Sequence, residues 1–197
     1  MTLALSIVSC ADSSSLGRLD YASLSQQTLM ELLIDGITAN KHTICGSTET
    51  PEDISQWEGI DFNENDEIID VKWDEMELEG SISFQWIPST VVSFSVFDNA
   101  FSQEIDLAEL PPGIRIVFLS SNKLYGSISL DNLPEALTEL NLATNMLSGT
   151  LHLENFPCKL LYLDLNENKF HGSVNLTNLP DSLEQLDISR NQLSGTL

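Results

Sequence analysis

Three histidines, three cysteines and one dense acidic stretch are the groups in this chain whose spacing deserves a chemical test. His42, His152 and His171 fall on different segments at no ligand spacing, so each reads as a surface histidine. Cys10, Cys45 and Cys158 lie too far apart in sequence for the close ligand pairs of a zinc site. An odd count leaves at least one thiol without an intramolecular partner, and Cys45 and Cys158 both read as free. Asp61 to Glu67 places oxygens at alternating positions, as a calcium loop does. Against the EF-hand pattern, however, Asp66 stands where a glycine is needed and Lys72 where a bidentate glutamate is needed. The stretch therefore reads as an acidic turn. No Gly-x-Ser-x-Gly elbow and no glycine-rich phosphate loop occurs. The expectation is a chain that is not an enzyme and uses no metal and no cofactor. Asn175-Leu176-Thr177 is a glycosylation sequon, with Asn175 expected to face solvent.

Charge narrows the partners. Acidic side chains number 30 against 8 basic ones, a formal net charge of -22. Phosphate backbones and anionic lipids need a basic surface, so nucleic acid is not an expected partner. Residues 1–10 (MTLALSIVSC) are apolar and the chain then turns polar. Residues 1–15 read as a targeting remnant or a disordered start, and Ile7-Val8-Ser9-Cys10 also resembles a bacterial lipobox. No later run approaches the ~20 apolar residues of a membrane helix, so no transmembrane segment is expected.

The remaining signal is a repeat. Slid by 23 positions, the sequence lands on itself: Leu137, Leu160 and Leu183 coincide, as do Gly149, Gly172 and Gly195, and Pro134, Pro157 and Pro180. Asn99, Asn122, Asn145, Asn168 and Asn191 share one position, with Met76 in their place in a first, degenerate unit. Gln103 replaces the glycine of the second unit. Five full units run from about Ile68 to Ser182, and a sixth stops inside its pattern at Leu197, so the chain reads as a fragment.

The unit explains itself physically. A Leu-x-Leu step puts two apolar side chains on one face of a short strand, and stacked units pair these strands in parallel, ~4.8 Å apart. The asparagine turns inward, where its amide must be bonded, because each unpaired buried polar group costs about 1–3 kcal/mol. A second alternating stretch (Ile82/Phe84, Ile105/Leu107, Ile128/Leu130, Leu151/Leu153, Val174/Leu176) predicts a second short strand. A Leu-Pro or Phe-Pro corner then ends pairing, leaving room for about one turn of helix.

These units resemble leucine-rich repeats, in particular the plant-type, extracellular subclass with its Ser-Gly bend. The 23-residue spacing and Leu-Pro corner resemble surface repeat proteins of unicellular eukaryotes such as kinetoplastids. The resemblance implies a leucine-rich-repeat solenoid, β-rich and right-handed, with a parallel concave sheet, short second strands and single-turn helices behind an N-terminal helical cap. Residues 16–67 are expected to form that cap and residues 68–197 the repeats. Within the cap, Tyr21–Asn40 carries an amphipathic stripe, with Ser23 and Gln26 as a capping box and Gly36 as the stop. Gln56-Trp57-Glu58-Gly59-Ile60-Asp61 resembles the cap's W-x-G-V-x-C element, but Asp61 replaces its cysteine. The disulfide staple is therefore missing, and packing of Trp57, Ile60 and Trp73 must substitute.

Between the leucines of each first strand, three rows of side chains are expected on the concave side. Phe97, Ile116 and Phe118 fall on neighbouring coils, with Tyr162, Asn141 and Asp164 farther along. Aromatic side chains beside polar ones suit an interface. The expected function is a non-catalytic protein-interaction module, secreted or at the cell surface, that recognises a protein or peptide through this face. The alternative is a structural, self-associating coat element.

Overall fold

The computed structural model describes residues 24–195. The expectations placed on residues 1–15, on Ser23 and on Leu197 lie outside these residues. Each 23-residue unit makes one coil of a solenoid, and its first strand enters a long sheet. These strands are β3 (Ile68–Lys72), β5 (Ser93–Ser95), β7 (Ile116–Phe118), β9 (Glu139–Asn141), β11 (Tyr162–Asp164) and β13 (Gln185–Asp187). They pair in parallel at one full repeat, so that Val117, Leu140 and Leu163 lie side by side. All three are buried, as are Val71 and Phe94 in the same row. Alternation thus sends the row of Val71, Phe94, Val117, Leu140 and Leu163 into the core and most flanking residues outward.

A second set of short strands forms the other flank: β4 (Glu79–Gly80), β6 (Ala100–Phe101), β8 (Tyr125–Ser127), β10 (Met146–Gly149), β12 (Lys169–Gly172) and β14 (Gln192–Leu193). Here partners are 21 residues apart, as in Met146 with Tyr125 and Gly172 with Leu193. These strands lie earlier in the unit than the alternation predicted. The reason is the bend glycine: Gly149 sits at φ 92°, a conformation that favours glycine, and it turns the chain out of the ladder. Beyond it Leu151 and Leu153 remain buried and His152 exposed, so the alternation persists without strand pairing. In two earlier coils the same stretch holds short 3-10 turns, Phe84–Trp86 and Leu107–Glu109.

The asparagines join the coils. Asn145 Oδ1 accepts from Leu124 N at 3.0 Å, and Asn145 Nδ2 donates to Leu119 O at 3.0 Å, both in the preceding coil. Nδ2 also lies within 3.2 Å of two carbonyls of its own turn, those of Leu142 and Ala143. Asn99, Asn122, Asn168 and Asn191 repeat this pattern, each serving the coil before it. The backward direction explains Met76. The first coil follows no repeat unit that would require the bond, and Met76 packs against the core instead. Gln103 makes an analogous bond in the bend, where its amide both accepts from Ile82 N and donates to Ile82 O, each at 2.6 Å.

Two further features recur at the same period. The residue before each ladder position is left-handed although not glycine: Glu75, Asp98, Ser121, Thr144, Glu167 and Arg190 all have φ between 53° and 56°. Such a conformation costs an L-residue roughly 1–2 kcal/mol. At Asp98, Ser121 and Thr144 it aims successive amides at the next coil, as in Thr144 N to Asn166 O and Asn145 N to Glu167 O. At the corner, each proline carbonyl accepts from the amide three residues on, for example Leu137 N to Pro134 O at 2.9 Å. One tight turn per coil results.

The N-terminal segment adds one antiparallel strand to each flank. β1 (Ile37–Ala39) pairs with β4, and β2 (Ile60–Phe62) pairs with β3. The stretch expected to be a helix from Tyr21 to Asn40 is shorter: α1 spans Gln26–Leu33, capped by Ser25 Oγ, which accepts from Thr28 N at 3.2 Å. Gly36 follows because of close approach, since a Cβ there would lie 2.6 Å from Ser81 O. Two glutamines of α1 bind the segment together. Gln26 bridges Asp66 O and Ile68 N, while Gln27 accepts from Ile54 N at 2.7 Å. A second helix, α2 (His42–Cys45), buries Ile44 and Cys45. Cys45 is free, and burial pushes its thiol up from the usual value. Trp57 and Trp73 are buried, and their indole N–H groups donate to Glu52 O and Glu58 O at 2.8 and 2.9 Å. Trp73 and Phe84 also meet Phe94 edge-on, at 6.3 and 6.1 Å. These aromatic rings join the N-terminal segment to the first two coils.

Replacing Asn145 with alanine orphans Leu124 N and Leu119 O in the interior. The expected loss is about 2–4 kcal/mol, read as a lower urea midpoint. Asn155→Ala, which removes one exposed bond to Asp131, should change stability by less than about 0.5 kcal/mol. Equal losses in the two variants would show that the ladder bonds are not the stabilising ones.

Candidate functional site

The outer face of the seven-stranded sheet carries the three expected rows. Strand register places Ile116, Glu139, Tyr162 and Gln185 side by side in the first row. Phe118, Asn141, Asp164 and Asp187 are side by side in the second. Phe97 lies in the third row, at the turn after β5. Phe97, Ile116 and Phe118 are half-buried, pressed by neighbouring strands ~4.8 Å away on either side. Tyr162 is the most open of the group at 39% exposure. A depression of about 160 Å³ gathers Phe118, Glu139, Asn141, Tyr162, Asp164 and Gln185. It does not include Phe97 or Ile116.

Several of these polar groups are already engaged. Asn141 Oδ1 accepts from Ala143 N, Asp164 Oδ1 from Asn166 N, and Asp187 Oδ1 from Ser189 N, each at about 3 Å. They close turns at the strand ends. The Ser189 bonds hold the Asp187 carboxyl below its ordinary pKa. Asp74 does similar work in the first coil, accepting from Ser95 Oγ and Phe97 N. Each such side chain keeps only part of its bonding capacity for a partner. Glu139 differs, making no ion pair among the described residues.

Two exposed apolar side chains lie elsewhere. Tyr125 (43%) and Met146 (36%) pair in register on the second flank. Attention to the first strand alone misses them. Their sequence signal is position: each adjoins a core leucine, Leu124 or Leu147. Asn175 is exposed, and its Nδ2 donates to Glu154 Oε1 at 2.8 Å. Among the described residues no group of three or more His, Cys, Asp or Glu is placed to hold a metal ion. None of the described helices is long and apolar enough to cross a membrane.

Comparison with known proteins agrees with the fold. The Leucine Rich Repeat family model matches residues 182–197. No curated protein matches the sequence significantly. Among solved structures, the chain is similar to the BIR2 ectodomain of Arabidopsis thaliana, with 18% identity and a TM-score of 0.64 over 87% of this chain and 95% of that one. It is similar to a chain of the BIR3–SERK2 complex from Arabidopsis thaliana, with 22% identity and a TM-score of 0.61 over 87% and 96%. The Arabidopsis receptor kinase HAESA, in complex with the peptide hormone IDA and the co-receptor SERK1, gives 22% identity and a TM-score of 0.69. That match covers 86% of this chain and 30% of the other. The fold is a leucine-rich-repeat solenoid.

The Tyr162 hydroxyl donates to Glu184 Oε2 at 2.8 Å, and this carboxylate pushes the phenol's pKa up. Ionising the phenol sets a second negative charge against the first, so the neutral form is favoured. In an ultraviolet tyrosinate titration, with Tyr162→Phe subtracted to isolate this ring, Glu184→Gln should move the Tyr162 midpoint to lower pH. An unchanged midpoint would mean that the bond does not persist in solution.

Proposed function

We propose that this chain is a non-catalytic recognition module that docks a protein or peptide on the outer face of its seven-stranded sheet. The observation that carries this reading is the face itself. Half-buried Phe97, Ile116 and Phe118 lead along it to open Tyr162 and the adjoining depression. Aromatic side chains fixed on a rigid sheet lose little conformational freedom on binding, which favours them as anchors. Support comes also from the structural neighbours, one of which holds a peptide hormone. Residues 16–67 serve as the cap and the units from residue 68 as the binding scaffold. The setting is extracellular, at the surface or secreted, and exposed Asn175 is a glycan acceptor there.

Peptides selected from a random library against the immobilised chain provide the test. Phe97→Ala with Phe118→Ala should weaken the selected peptides by more than about tenfold, with little change in the circular-dichroism melt. Tyr125→Ala, on the other flank, should leave their affinity unchanged. Selected peptides that ignore the phenylalanines but lose affinity with Tyr125→Ala would move the docking face to the second flank.

A further inference from the structure

We infer that the depression around Tyr162 receives an arginine side chain, so that the partner docking on this sheet is a basic peptide. This inference rests on the docking reading above and adds the chemistry of the occupant. From the third coil onward the three outer rows contain no lysine or arginine: they read Ile116, Glu139, Tyr162, Gln185; Phe118, Asn141, Asp164, Asp187; and Ser120, Ala143, Asn166, Ser189. Nearby, Arg190 is taken by Glu167 at 3.2 Å, and Arg115 stands at the entry of β7, two strands from Tyr162. The depression thus has acidic walls and aromatic sides with no cation of its own.

Its arrangement fits one kind of cation. Glu139 lies beside Tyr162 in the first row, and Asp164 is diagonal to Glu139 in the second. Diagonal neighbours in a sheet stand roughly 7–8 Å apart, a gap that a planar guanidinium can bridge by donating to both carboxylates. Asp164 retains acceptor capacity beyond the oxygen used in its turn. Tyr162 and Phe118 both line the depression, and an aromatic ring attracts a guanidinium placed over its face. The Tyr162–Glu184 bond restrains the Tyr162 ring in place before any ligand arrives. An ammonium group presents a compact charge and does not span both carboxylates in one plane. The chain's charge of -22 repels a second copy and draws a basic partner inward.

The test uses a fluorescein-labelled glycine–serine peptide bearing arginines, with citrulline and lysine counterparts, followed by anisotropy at fixed salt. The arginine peptide should bind, the lysine peptide should bind several-fold more weakly, and the citrulline peptide should not bind. Glu139→Gln and Tyr162→Ala should each weaken the arginine peptide roughly fivefold. Tyr162→Phe should retain most of the affinity, and Glu135→Gln, at an exposed corner, should have no effect. Thermal melts check that each variant is folded. Equal affinity for arginine and lysine, or equal weakening by Glu135→Gln, would reduce the attraction to diffuse charge and overturn the inference. If library peptides bind through Phe97 and Phe118 while the arginine peptide does not, the docking face stands and the arginine site falls. If neither set binds the sheet, both fall.

Discussion

The stacking of the coils depends on one side-chain amide in each coil after the first. Where the chain leaves each strand of the long sheet, amide N–H groups reach forward to the following coil, as Leu142 N does to Asp164 O. On the second flank they reach backward, as Met146 N does to Leu124 O. The direction reverses within a few residues, and the reversal strands one donor and one acceptor in the coil behind. Asn145 supplies what those two groups lack. Aspartate at this position would lack the donor, and leucine would lack both partners. The register between coils at this turn follows from the requirement, because each asparagine must meet the same pair of groups one coil back.

With bonding and core settled by a few inward positions, the outward positions are released from folding duty. That freedom shows in the long sheet's outer rows, where Ile116, Glu139, Tyr162 and Gln185 share a place with nothing in common chemically. The freedom is partial. Asn141, Asp164 and Asp187 spend an oxygen on the turn that follows their strands. The surface is therefore a mixture of groups held by the scaffold and groups, such as Glu139, that it leaves unspent.

Inward positions were the legible part of the sequence. Val117, Leu140 and Leu163 see nearly identical surroundings, so their spacing repeats and discloses the solenoid. The N-terminal segment was harder to read, because Gln26, Gln27 and Gly36 each meet a different neighbour and no period repeats the signal. The second strand was misplaced because alternating burial continues past Gly149 although pairing does not. The left-handed positions were invisible for another reason. Asp98, Ser121, Thr144, Glu167 and Arg190 share a backbone conformation but no side-chain type, so no residue pattern announces it. On the outer face, alternation assigned side chains to rows. It did not foresee the half-burial of Phe97 and Phe118, which depends on flanking strands, or the turn bonds of Asn141 and Asp164.

The backward reach of the asparagine also gives the molecule a polarity in time. A chain made on the ribosome emerges amino end first. Coil by coil, the groups around Leu119 and Leu124 stay unmatched until the unit containing Asn145 has left the exit tunnel. Each turn is thus finished by its successor, and the youngest coil is always the incomplete one. The first coil is bonded on its other side by the strands of the N-terminal segment, β1 on β4 and β2 on β3, so the groups left waiting always face the coil that follows.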